Sequence, residues 1–211
     1  MRILALAGCL MVSGCMAFSS VEGTVPLESR PPQDISAWMD SSEAHRGYIF
    51  LCEELERGAA TDVAAKIVAL DQEAGVERIT LVLNSFGGEV SAWRMIHNAM
   101  RLTAKPVDTV NIGNCYSAAC AIFASATGRR YTYENAHFMV HKPEMLYPSG
   151  GRYKEIVDFE TQAYEGTLRN KADLPSEWFP LTGKERYFNS HQALQYRFVD
   201  KVIDRLPVTT D

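Results

Sequence analysis

The chain has 211 residues, 46% hydrophobic and 22% charged, with 14 Gly and 9 Pro. This is an ordinary globular composition that excludes collagen-like, coiled-coil and disordered chains, and its length fills one well-buried domain but not two large ones. Acidic residues number 26 against 21 basic, a net charge of −5; no basic run points to nucleic acid, and beyond residue 20 no apolar run is long enough to span a bilayer.

The chain opens on a targeting segment. Met1-Arg2 supplies one positive charge, residues 3–12 are almost unbroken apolar, and Ser13-Gly14-Cys15 follow. A charged start, an apolar stretch of this length and small residues at its end read as a secretory signal over 1–14, not as an anchor. Val12-Ser13-Gly14-Cys15 resembles the bacterial lipoprotein box, in which the Cys is diacylated and becomes the mature N-terminus. Leu6-Ala7-Gly8-Cys9 fits the same box, but too little apolar sequence precedes it. The expectation is export to the bacterial periplasm, with a lipid on Cys15 holding the chain to a membrane. In that oxidising compartment Cys52, Cys115 and Cys120 would give one disulfide and one free thiol, the pairing left open.

Residues 15–44, rich in Ser, Pro, Glu and Asp, read as a lipidated N-terminus and flexible tether. A single α/β domain is expected over 45–205, with 206–211 as a tail. Tyr48-Ile49-Phe50-Leu51 reads as a strand. Thr61 is placed to cap a helix carrying Val63, Ile67, Val68 and Leu70, which stops near Gly75. Ile79-Thr80-Leu81-Val82-Leu83 is a β-branched run, a buried strand. Residues 89–102 set Val90, Trp93, Ile96 and Met100 on one helical stripe. A third strand is expected over 107–112 and an Ala-rich helix over 117–126. Short strands near 130–133 and 138–140, a helix over 152–171, and a helix over 190–197 before a strand at 199–203 complete the pattern. Strands alternating with helices at this spacing imply parallel strands joined by right-handed crossovers.

Parallel topology gathers the loops that leave strands at the carboxyl edge of the sheet, where α/β proteins place their sites. Two of these are unusual: Asn84-Ser85-Phe86-Gly87-Gly88 and Gly113-Asn114-Cys115-Tyr116-Ser117. If their strands are neighbours, Gly87 and Ser117 come together. Glycine lets a backbone N–H turn toward a ligand without steric cost. A Ser that opens a helix sits where free N–H groups favour a developing negative charge. A hydroxyl beside two such donors is the minimum for acyl transfer, lacking only a base. Of the five His residues, His141 follows Phe138-Met139-Val140 at a strand end, a good place for that base.

These segments resemble the ClpP family of serine peptidases, within the wider crotonase-like fold. Asn84-Ser85-Phe86-Gly87-Gly88 is similar to that family's Asn-Ser-Pro-Gly-Gly, and Gly113 to Ala119 to its Gly-Gln-Ala-Ala-Ser-Met-Gly. Phe138-Met139-Val140-His141-Lys142-Pro143 resembles Val-Met-Ile-His-Gln-Pro. Tyr187-Phe188-Asn189-Ser190 with Ala193, Tyr196, Val199 and Asp200 is similar to the closing segment. The resemblance implies a spiral of βαβ units with mostly parallel strands. It also implies Ser117 as nucleophile, His141 as general base, and the N–H groups of Gly87 and Ala118 as the oxyanion hole.

Phe86 replaces the family's proline, and three further departures bear on catalysis. The family's catalytic Asp falls on Leu181, and the nearby Thr182, Asp173 and Glu185 are the alternatives for a third triad member, which stays unknown. Tyr116 replaces a small Ala next to the nucleophile and would fill part of the cleft. Ala119 replaces a Gly. The segment 145–151 is a reduced version of the family's ring-stacking extension, so a double heptameric barrel is not expected; a homo-oligomer in the form of a smaller ring or dimer and a monomer stay equally open.

The leading expectation is an ATP-independent serine hydrolase, a peptidase acting on peptide or protein substrates. The alternative is a catalytically weak or silent relative that binds peptides or partners in the periplasm. A crotonase-like acyl-thioester enzyme is disfavoured because coenzyme A is cytoplasmic, and an ATP-driven unfoldase partner because ATP is scarce outside the cytoplasm. No Cys-x-x-Cys or His-Glu-x-x-His occurs, and His137 with His141 lacks a third ligand, so no metal or cofactor is expected. Cys115 reads as a buried or disulfide-bonded thiol rather than a nucleophile.

Overall fold

The computed structural model describes residues 47–143 and 151–207, with the backbone alone at 151–153. The signal, Cys9, Cys15, the tether and segment 145–150 lie outside the described residues. The chain runs β1 (Tyr48–Leu51), α1 (Arg57–Gln72), β2 (Ile79–Ser85), α2 (Val90–Leu102), β3 (Val107–Tyr116), α3 (Ala118–Ala124), β4 (Arg130–Tyr133) and β5 (His137–Val140). It continues through α4 (Gly151–Lys171), a 3-10 turn at Ser176–Trp178, β6 (Arg186–Asn189), α5 (Ser190–Gln195) and β7 (Lys201–Ile203). All of these fall in one α/β unit, Ser36–Asp211, and no helix among the described residues is long and apolar enough to cross a membrane.

The β-branched run of β2 is buried on both faces, as a central parallel strand demands. It pairs in parallel with β1 on one side and β3 on the other, in the order β1-β2-β3-β4-β7. On the helical face Ile49, Leu51, Ile79, Leu81 and Leu83 meet Val63 and Ile67 of α1 and Trp93, Ile96 and Met100 of α2. Fully burying one such side chain is worth about 1.5–3 kcal/mol, and this packing fixes the sheet edge on which the site stands. Val68, on the expected α1 stripe, is instead exposed.

Three elements differ from the sequence expectation. Thr61 caps nothing: α1 begins one turn earlier, with Glu56 at its N-cap, because Arg57-Gly58-Ala59-Ala60 continue the helix backwards, and the Thr61 hydroxyl donates to the Arg57 carbonyl at 2.8 Å. Residues 113–116, expected in a loop, extend β3. This strand pairs with β4 through Thr109–Asn111 and then, past Gly113, with β5 through Asn114, Cys115 and Tyr116. Asn84 makes the switch possible: its side-chain oxygen accepts from the Asn114 N–H at 3.0 Å and lies where a Cβ on Gly113 would stand. β6 is a strand the periodicity does not announce, and it runs antiparallel to β5. Asn189 ends it by forming a reciprocal capping box with Gln192, which starts α5.

The expected disulfide is absent among the described residues: Cys52, Cys115 and Cys120 are all free thiols. Cys52 is exposed, whereas Cys115 and Cys120 are buried, the Cys120 thiol resting 2.8 Å from the Cys115 carbonyl oxygen. Burial pushes the Cys115 thiol well up, away from the nucleophilic thiolate.

Candidate active site

Ser117 is the hinge between β3 and α3. Its backbone has φ 52° and ψ −124°, a conformation β-carbon-bearing residues avoid. Such a residue costs on the order of 1–3 kcal/mol and persists only where its surroundings over-determine it. They do so here: the Ser117 N–H donates to the Met139 carbonyl at 2.7 Å. Its own carbonyl accepts from the Cys120 N–H at 2.9 Å and from the Tyr164 hydroxyl at 3.1 Å. The result turns the side chain out of the helix, with no capping bond to spend it on.

His141 meets it there, with Nε2 2.7 Å from Ser117 Oγ. Alternation along β5 explains the encounter. Phe138 and Val140 point into the core, so Met139, and His141 just past the strand end, belong to the opposite face. The Met139 carbonyl that holds Ser117 therefore comes from the strand that delivers the imidazole. Both side chains are half-buried, and the pair lies within reach of proton transfer.

Gly87 approaches the pair from β2. A Cβ built on it would lie 2.6 Å from the Tyr116 carbonyl oxygen, 2.9 Å from Ser117 Cβ and 3.0 Å from the Ala118 nitrogen, and its φ is +92°. Only glycine fits. The sequence-derived donor is nevertheless occupied. The Gly87 N–H donates to Ser85 Oγ at 3.1 Å, and that hydroxyl in turn donates to the Glu53 carbonyl at 2.6 Å. The next amide, that of exposed Gly88, has no acceptor among the described residues, and neither has the Ala118 N–H at the start of α3. Gly88 is itself held by Leu55, whose N–H donates to the Gly87 carbonyl and whose carbonyl accepts from Glu89, both at 2.8 Å.

Leu181, the residue on which the sequence resemblance sets the family's acid, is 3% exposed and packed in the core. Its N–H donates to Glu165 Oε1 at 2.6 Å, and the carbonyl of Thr182 accepts from Lys142, the residue after His141, at 2.8 Å. The alternative acids are engaged elsewhere. Asp173 pairs with Arg197 at 3.2 Å, and Glu185 accepts from the Tyr187 hydroxyl at 2.8 Å. Thr182 uses its hydroxyl on the Lys184 N–H. Among the described residues, no carboxylate touches His141.

Tyr116, half-buried beside the nucleophile, stands edge-on to Phe86 at 5.4 Å and to Tyr187 at 5.6 Å. Phe86 is 70% exposed and Tyr187 56% exposed, so Phe86, Tyr116 and Tyr187 together build an aromatic rim. Sequence reading misses Tyr164, Ser85 and Tyr187 at the site. Only the aromatic substitution of Phe86 and Tyr116 carries a local signal for the rim.

Comparison with known protein families gives a match over residues 37–206 to a family model described as Clp protease. The match spans every element that builds the site.

Proposed function

The chain belongs to the Clp protease family, whose members act on peptides and often form oligomers, and we propose that it is an ATP-independent serine hydrolase cutting peptide bonds through an acyl-enzyme. The 2.7 Å contact between His141 Nε2 and Ser117 Oγ carries this reading. As Oγ attacks the scissile carbonyl, Nε2 takes its proton. The negative oxygen of the tetrahedral intermediate is met by backbone N–H groups. When it collapses, the amine leaves with the proton returned by His141, and Ser117 keeps the acyl group. Water then attacks the ester, His141 again taking and returning a proton, and the carboxylic acid departs.

Gly87 and Ala118 are the donors the sequence suggests. With the Gly87 N–H held by Ser85, the free amide of that turn is the neighbour's, so the hole we propose uses Ala118 and Gly88, with Gly87 supplying the steric room. Among the described residues no carboxylate orients the imidazole, so the centre we propose works as a Ser–His dyad of low turnover.

Incubation of the folded protein with a fluorophosphonate probe, followed by peptide mass spectrometry, is expected to place a single adduct on Ser117. Absence of labelling over hours would favour the second reading, a silent peptide-binding relative. Leu181 in the acid position and the Tyr116 rim are the observations on its side.

Residues 1–15 support export and lipid attachment at Cys15. In a bacterial host, globomycin, an inhibitor of lipoprotein signal peptidase, is expected to accumulate the precursor, and Cys15→Ser to do the same. Unchanged processing in both would leave ordinary secretion or no cleavage at that site.

A further inference from the structure

One buried polar group at the site has no part in the reaction as described. Tyr164, on α4, is 2% exposed, and its hydroxyl donates to the Ser117 carbonyl across 3.1 Å. That carbonyl belongs to the same planar peptide unit as the Ala118 N–H, so whatever fixes the oxygen at one end aims the hydrogen at the other. Among the described residues the other grip on this oxygen is the Cys120 N–H of the first helical turn, at 2.9 Å. A donor at the carbonyl also polarises the peptide and strengthens its N–H as a donor.

Resting on the hydrolase reading above, we propose that Tyr164 is a positioning residue for the oxyanion hole. Its hydroxyl locks the Ser117–Ala118 peptide plane, aiming the Ala118 N–H at the reaction centre and holding Ser117 in its left-handed conformation. Burial keeps the phenol protonated, so the donor persists across the pH range in which the dyad operates. The contact spans two distant segments, α4 and the β3–α3 hinge, and couples the packing of that helix to the reactivity of the site. An intermediate that concentrates charge on one oxygen gains more from this aim than a bound substrate does, so the loss falls on the chemical step.

The test compares wild type with Tyr164→Phe, which keeps the ring and removes the hydroxyl. For p-nitrophenyl acetate, kcat is expected to fall about tenfold with KM unchanged, and the fluorophosphonate labelling rate to fall in the same proportion. Equal kcat and labelling in the two proteins would overturn the inference while leaving the hydrolase reading intact. A wild type that forms no adduct at Ser117 would overturn both. Should Tyr164→Phe not fold, 3-fluorotyrosine placed at 164 alone preserves the packing and strengthens the donor. It is expected to raise kcat above wild type, and an unchanged or lowered kcat would count against the positioning role.

Discussion

Ser117→Ala and His141→Ala are each expected to lower the hydrolysis of an activated ester by about 10³-fold, and the double variant to fall no further. The common floor is the informative part. Ser117 Oγ is a weak nucleophile until Nε2, at 2.7 Å, takes its proton, and the imidazole has nothing to activate once the hydroxyl is gone. Two groups that act as one unit lose the same rate whichever is removed. Independent losses that add in the double variant would mean that the two side chains serve separate purposes, and unchanged hydrolysis in Ser117→Ala would remove the nucleophile from this position. Both substitutions lie on half-buried side chains outside the packed core, so the thermal midpoint, measured in parallel, is expected to stay close to wild type.

The parts of this centre that the sequence makes legible are those set by local chemistry. The run at 79–83 can only be a buried strand, and glycines 87 and 88 mark a turn no other residue fits. An imidazole that follows three apolar residues lands where such a strand ends. What stays hidden depends on residues distant in sequence. Gly113–Tyr116 looks like a loop because its pairing partner, β5, begins 20 or so residues later, and only that partner turns it into strand. The Gly87 amide looks free because Ser85 has no visible reason to reach it. The reason is the Glu53 carbonyl, which draws the hydroxyl into place from the end of β1. Tyr164 is one of three aromatics in a long helix until α4 packs against the hinge. The free thiols follow the same logic, since α3 sets Cys120 on a backbone carbonyl and leaves Cys52 at the surface.

Installing an acid at position 181 is the converse experiment, and Leu181→Asp is expected to raise turnover by on the order of 10²-fold while lowering stability. In triads elsewhere, loss of the orienting acid costs about 10⁴-fold through the wrong imidazole tautomer. Partial recovery is the reasonable expectation for a carboxylate set into a site not shaped for it. Position 181 is tied close to the base, since the adjoining Thr182 carbonyl holds the amide of Lys142. The stability cost has two sources. Core methyl groups are lost, and a charge enters a nearly solvent-free pocket, at about 1–3 kcal/mol or more unless the imidazole pairs with it. Glu165 opposes the change as well, because its carboxylate already sits on the residue-181 N–H at 2.6 Å and repels a second negative charge. Glu165→Gln keeps an acceptor for that N–H and removes the repulsion, so the double variant is expected to gain more than Leu181→Asp alone. Leu181→Asn separates the two effects: it should keep the loss from the missing core methyl groups, without the cost of the buried charge, and show none of the rate gain. A folded Leu181→Asp protein with wild-type turnover would mean that orientation of His141 does not limit the reaction.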